Sequence, residues 1–135
     1  MNISTAEKLS GLSSKTIRDY EQAGLIHPLR QSNGYRTYSQ EDIETLCFIR
    51  HARAVDFSLA QIAQLLALRH DPHRASVDVK ELVGKHIARL TEKINDLNSM
   101  KSTLEQWYNK CNGNESPECA IINGLNQYEG KDVHN

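Results

Sequence analysis

The rhythm of hydrophobic positions in this chain changes near residue 76. Before it, apolar residues come in short helical clusters opened by a hydroxyl residue and closed by glycine or a polar turn. Ser4-Thr5-Ala6-Glu7, Ser39-Gln40-Glu41-Asp42 and Ser58-Leu59-Ala60-Gln61 each place a hydroxyl where it can accept from the orphan N–H groups of a helix start. In the first and third, Glu7 and Gln61 stand where a capping box needs them, whereas Asp42 is expected to favour the positive end of the helix. The first helix is expected from Ile3 to Leu9, stopping at Gly11. Ser13 then caps a second, Ser14 to Ala23, which stops at Gly24. Helix, glycine turn, helix is a helix-turn-helix pattern. Ile17 and Tyr20 lie toward its inside; Lys15 and Arg18 point outward near the start of a helix that could enter a major groove. Periodicity alone leaves an ordinary αα-hairpin with a solvated charged face equally open.

The next stretch favours nucleic acid. Pro28 to Tyr38 holds Asn33-Gly34, a strong hairpin signal, with Arg30 and Arg36 flanking the turn and Tyr35 and Tyr38 beside them. A cationic, aromatic-tipped hairpin beside a helix-turn-helix reads as a wing that straddles a phosphate backbone. Two more helices follow, over Ser39–Arg53 and Ser58–Arg69, with Ile43, Leu46, Cys47 and Ile49, then Leu59, Ile62, Ala63, Leu65 and Leu66, on their apolar sides. Cys47 on that stripe reads as a small core residue. Arg50 and Arg53 near a helix end are further candidates for backbone contact.

From residue 76 the pattern is continuous. Val83, Ile87, Leu90, Ile94, Leu97, Lys101, Leu104 and Tyr108 alternate by four and three, with no Pro and only Gly84 in the run. A helix of that length spans roughly 50 Å, too long to bury against a small head, so its stripe needs a partner, most simply a second copy. Ser76 and Cys111 continue one column of the seam at either end.

Composition adds limits. The net charge of −1 excludes a uniformly basic coat, so DNA contact must come from local cations. The N-terminus lacks a signal-peptide core and no apolar run is long enough to span a membrane, so the expectation is a cytoplasmic protein with no membrane partner. No Gly-rich phosphate loop or nucleophile–base pair is evident, and no enzyme is expected. Three cysteines in a reducing compartment argue against a disulfide framework.

Cys111 and Cys119 sit in a polar loop beyond the long helix. Thiolates are soft ligands that select monovalent copper and similar ions over hard cations, and zinc wants four ligands where this loop offers two, with Glu118 and Ser116 as weak additions. Ile121, Ile122 and Leu125 could form a dry lid over them. A reversible disulfide and inert thiols are the alternatives. His70 and His73, three apart in a connector, read more simply as a solvated linker; His27, His51 and His86 are scattered, and His134 falls in the tail.

These blocks in this order resemble the mercury-resistance-type (MerR) regulators, and among them the bacterial copper efflux regulators. The carriers are MNIS, SSKTIRDYEQAGLI, NGYRTY, IRHARAVDFSLAQIAQLL, Ser76 with Asp78-Val79-Lys80, and the spacing of Cys111 and Cys119. The resemblance implies an all-α-dominated fold: a winged helix-turn-helix DNA-binding domain over 1–69, a connector over 70–75, a long antiparallel coiled-coil dimerisation helix over 76–110, and a metal-binding loop and tail over 111–135. It implies a homodimeric activator on double-stranded promoter DNA that reaches RNA polymerase only through the promoter. Carried over by position, Lys15, Arg18, Tyr20, Tyr35, Arg36 and Arg53 would contact DNA, and Cys111 and Cys119 would bind metal. Relatives that detect divalent ions are similar but carry a cysteine where this chain has Ser76; with Ser76 of the partner subunit facing the loop, the expected signal is Cu(I), with Ag(I) or Au(I) as alternatives and no organic cofactor. A divalent-ion or thiol-redox regulator of the same family, and a metal-buffering or carrier module, stay open. The chain departs from the pattern in a wing one residue shorter before Asn33, in Ala120 after the second cysteine, and in a tail without Cys-rich ending.

Overall fold

The computed structural model describes residues 1–115 and 117–128, divided into two compact units, 1–79 and 80–135. The sequence of elements is α1 (Ile3–Ser10), α2 (Ser14–Gln22), β1 (Leu29–Arg30), β2 (Arg36–Thr37), α3 (Gln40–Ala54), α4 (Leu59–His70), α5 (Ser76–Lys110) and α6 (Ala120–Gln127). Helix dominates, as expected.

In the first unit, caps and glycines set the helix ends. Ser13 accepts from the Thr16 N–H to open α2, and α1 closes on Gly11, whose φ of 75° is left-handed and whose N–H reaches the Glu7 carbonyl. The cap of α1 differs from expectation. Asn2, not Ser4, accepts from the Thr5 N–H, so Ser4 lies inside the helix and Glu7 makes no capping box. Glu7 instead accepts from the Ser14 hydroxyl and ties α1 to the start of α2. Conversely, Asp42 does complete a capping box, accepting from the Ser39 N–H at 2.9 Å, as Gln61 does for Ser58 at 2.8 Å. Both cap residues are extended, Ser39 at φ −85° and ψ 169° and Ser58 at φ −72° and ψ 162°.

Burial follows the helical stripes. Ala6, Ile17, Ile26, Tyr38, Leu46, Ile49 and Ile62 are essentially closed to solvent, and α1 packs on both α2 and α3. Leu59 and Ala63, expected on the α4 stripe, are exposed, leaving Ile62, Leu65 and Leu66 as its buried set. Cys47 is half-buried, with its thiol directed at the Leu9 carbonyl. Across the hairpin Leu29 pairs with Thr37 and Arg30 with Arg36, and Gly34 takes the left-handed conformation in the connecting turn. Met1 adds to this edge: its ammonium donates to the Tyr38 carbonyl at 2.9 Å and its carbonyl accepts from the Tyr38 N–H at 2.7 Å.

Helix α5 runs unbroken for 35 residues. Its seam lies open in the single chain, with Ile87, Ile94, Leu97 and Leu104 each more than half exposed. His86, one of the scattered histidines, is buried. The sequence reading has only loop and tail after residue 110, but Ala120–Gln127 forms α6. No helix among the described residues is long and apolar enough to cross a membrane.

Candidate metal centre and DNA-facing head

Cys111 closes α5, its N–H still reaching the Trp107 carbonyl at 3.1 Å, and Cys119 stands at the N-cap of α6. The two helix ends bring the sulfurs to 3.5 Å from one another, both half-buried and both free thiols. The Cys119 thiol is held below its ordinary range, first by the backbone N–H of Ile122, then by the Cys111 thiol and the Ile121 N–H, against a smaller opposing effect of burial. No full side-chain cap bond forms. The effect is therefore the pull of oriented N–H dipoles at a helix start on a thiolate.

Two sulfurs 3.5 Å apart can both reach one soft ion, because metal–thiolate bonds of about 2.3 Å allow spans up to about 4.6 Å. Among the described residues no group of three or more His, Cys, Asp or Glu is placed to hold a metal ion. Among the described residues the site thus offers two thiols and no third strong donor. Ser116 and His134 lie outside the described residues, as does the tail beyond Tyr128. His70, expected in the connector, is the last residue of α4 and faces Glu41 at 3.9 Å; His73 is exposed beyond it. The dry lid does not form in the single chain: Ile122 and Leu125 are each more than half exposed.

What secures α6 is a feature the sequence reading missed. The Gly124 backbone lies against the indole of Trp107, so closely that a methyl there would overlap Cε2 and Nε1. Tyr128 meets the same indole edge-on, with centroids 5.6 Å apart. Trp107 sits one helical turn before Cys111, so the contact that docks α6 also positions the sulfurs.

In the head, Arg18, Tyr35 and Arg36 converge on one groove of about 880 Å³, together with Met1, Asn2 and Gln31. Arg18 and Tyr35 are exposed and available to a ligand. Arg36 is engaged, because its Nε donates to Glu21 of α2 and Arg30 approaches the same carboxylate at 3.4 Å. Arg30 and Arg36 are direct cross-strand partners, and like charges so placed repel. Glu21, only 16% exposed at its side chain, neutralises both and fastens the wing to α2. Lys15 is exposed and pairs loosely with Asp19 at 3.2 Å, outside the groove. Tyr20 belongs to the core at 9% exposure, a packing role beyond the expected DNA contact. Arg53 donates to the Phe57 carbonyl at 2.7 Å and so fastens the turn between α3 and α4.

Comparison with known proteins matches the first half to the family description "MerR HTH family regulatory protein", over residues 1–68, and residues 43–107 to "MerR, DNA binding". A Haemophilus influenzae protein described as a probable heavy metal-dependent transcriptional regulator is 55% identical, over 93% of this chain and 99% of its own. The HTH-type transcriptional regulator CueR of Escherichia coli is 43% identical, over 93% of each chain. Among solved structures, the regulator PbrR691 of Ralstonia metallidurans in complex with lead(II) is 35% identical with a TM-score of 0.81, over 93% of this chain and 98% of its own.

Proposed function

The chain belongs to the MerR family of helix-turn-helix transcriptional regulators and is no enzyme; from that premise we propose that it is a heavy-metal-dependent activator whose signal is Cu(I), held by Cys111 and Cys119. The observation that carries the metal is the convergence of two thiols to 3.5 Å with no third strong donor among the described residues. A monovalent d10 ion asks for few, soft ligands, and two thiolates with Ser76 of the partner subunit in place of a third thiol suit Cu(I), Ag(I) or Au(I). When bound, the ion supplies a bond between the end of α5 and the start of α6. The chain's own residues do the rest: the N–H dipoles of Ile122 and Ile121 favour the ionised form of Cys119, and Trp107 against Gly124 holds the second sulfur in reach of the first.

The protein acts on double-stranded promoter DNA as a homodimer in the cytoplasm. The exposed seam of α5 supports the dimer, since a row of open Ile and Leu at heptad spacing is stable only when covered. Arg18, Tyr35 and the Arg36 beside them form the phosphate- and groove-facing surface, with Lys15, Arg53 and the edge of Tyr20 at its margins. Activation works through distortion of the promoter, by which the dimer aligns elements for polymerase, energy being stored in DNA steps the protein need not touch.

A divalent-ion reading has one specific support, the lead(II) bound by the 35%-identical PbrR691. Metal-dependent transcription in vitro separates the two. The wild type should respond to Cu(I) or Ag(I) and not to Zn(II), Pb(II) or Hg(II), and Cys111→Ser or Cys119→Ser should abolish the response while salt-dependent DNA binding persists. Ser76→Cys should admit a divalent ion. A wild type that answers Pb(II) and ignores Ag(I) overturns the proposal.

A further inference from the structure

We infer that Cys111 and Cys119 are also a reversible redox pair, which a peroxide-class oxidant closes into an intramolecular disulfide that silences the metal response. The inference rests on the proposed metal site in one respect only, that the thiols joined are the ligands lost.

Geometry carries it. The sulfurs stand 3.5 Å apart, so a bond of about 2.05 Å needs a net approach of about 1.5 Å, within the range of side-chain rotation. Both thiols are half-exposed, so a small oxidant reaches either. They belong to one unit of the chain, at the end of α5 and the start of α6, so closure needs no second molecule. The remaining cysteine, Cys47, is occupied with the Leu9 carbonyl at 3.6 Å. Each thiol thus has the other as its nearest resolving group, the arrangement that diverts a sulfenic acid into a disulfide before further oxidation.

The chemistry balances with hydrogen peroxide as the oxidant. One sulfur attacks the peroxide O–O bond, becomes a sulfenic acid and releases water; the second sulfur attacks that sulfenic sulfur, forms the S–S bond and expels a second water. Two thiols lose two electrons and peroxide gains them. A thiol reductant reverses the step by exchange. The consequence is a regulator that reads a soft metal only while its surroundings are reducing. Bound metal and oxidation compete for the same two sulfurs.

The test uses the full chain, reduced and anaerobic, treated with one equivalent of hydrogen peroxide and analysed by intact mass and by mapping of non-reduced peptides. The expected result is a loss of about 2 Da, a single cross-link joining Cys111 to Cys119, loss of Ag(I) binding, and recovery of both thiols and binding on reduction. Preloading with Ag(I) should protect the pair. In Cys111→Ser the same treatment should instead drive Cys119 to sulfinic or sulfonic acid. Over-oxidation of either cysteine in the wild type, links to Cys47, links between chains, or unreacted thiols each overturn the inference. Ag(I) binding without a cross-link leaves the metal reading standing and removes this one; a cross-link in a protein that never bound Ag(I) removes the metal reading and, with it, the silencing.

Discussion

Gly124 has no side chain because Trp107 occupies the space where one would begin. In isolation Asn123-Gly124 is a turn signal, and glycine in a helix interior costs about 1 kcal/mol relative to alanine. The indole contact overrides that preference, and α6 forms through the pair. Gly124→Ala should therefore undo what propensity alone would improve. The expected outcome is a red-shifted Trp107 emission, roughly tenfold weaker Ag(I) binding, and a main unfolding transition moved by less than about 1 kcal/mol. Unchanged fluorescence and affinity would show that α6 docks by other means.

Glu21 is the hub of the wing. Glu21→Gln leaves Arg30 and Arg36 opposed across the hairpin with no anion between them, which should lower stability by about 1 kcal/mol by thermal or urea unfolding. It also frees the Arg36 guanidinium for phosphate, so the slope of log affinity for promoter DNA against log salt should steepen by about one contact. A flatter slope would mean that Glu21 acts by holding Arg36 in place.

Tyr38 is 1% exposed, and its hydroxyl has no hydrogen-bond partner among the described residues. Removing an unsatisfied buried hydroxyl should be neutral or gain about 1 kcal/mol, so Tyr38→Phe is expected to unfold at the same or higher temperature. Burial pushes the phenol above its ordinary 10.0, with Arg36 pulling the other way. An acid whose pKa is higher folded than unfolded keeps its contribution below pH 10.0 and loses it as pH rises through the folded value. The wild type should therefore lose stability in that alkaline range faster than Tyr38→Phe. A clear drop at neutral pH in the variant would show that the hydroxyl is bonded.

The lowered Cys119 thiol gives a pH prediction of the opposite sign. Its thiolate form, and the competence to bind a soft ion, should persist below the ordinary 9.0 and be lost only as pH falls through the folded value. Alkylation by iodoacetamide, followed at Cys119 by mass spectrometry, should show a midpoint below that of a free thiol. In Cys111→Ser the midpoint should rise yet stay depressed, because the Ile122 N–H is the larger cause. A midpoint at or above the free-thiol value would remove helix α6 from the account.

Much of this was legible from local chemistry. Ser13, Ser39 and Ser58 open helices, Gly11 closes one in the left-handed conformation, and the heptad run from Val83 to Tyr108 forms a single helix. Other features were set by groups that local patterns do not single out. Asn2 supplanted Ser4 because the chain is already helical at Ile3. Glu21 meets Arg30 and Arg36 only through the fold, which no local pattern reveals. Tyr20, inward beside Ile17 by its helical spacing, is buried there. The sulfur pair was visible as spacing; its 3.5 Å approach depends on an indole and a glycine that no periodicity reveals.

The central claim is that two thiolates and nothing else hold the signal. X-ray absorption at the copper edge, on full-length protein loaded anaerobically with Cu(I), tests it directly. The account predicts one ion bound through two sulfurs, with no nitrogen and no third sulfur, and loss of that signal in Cys119→Ser. A third sulfur, a histidine nitrogen, or an unchanged spectrum in Cys119→Ser would contradict it.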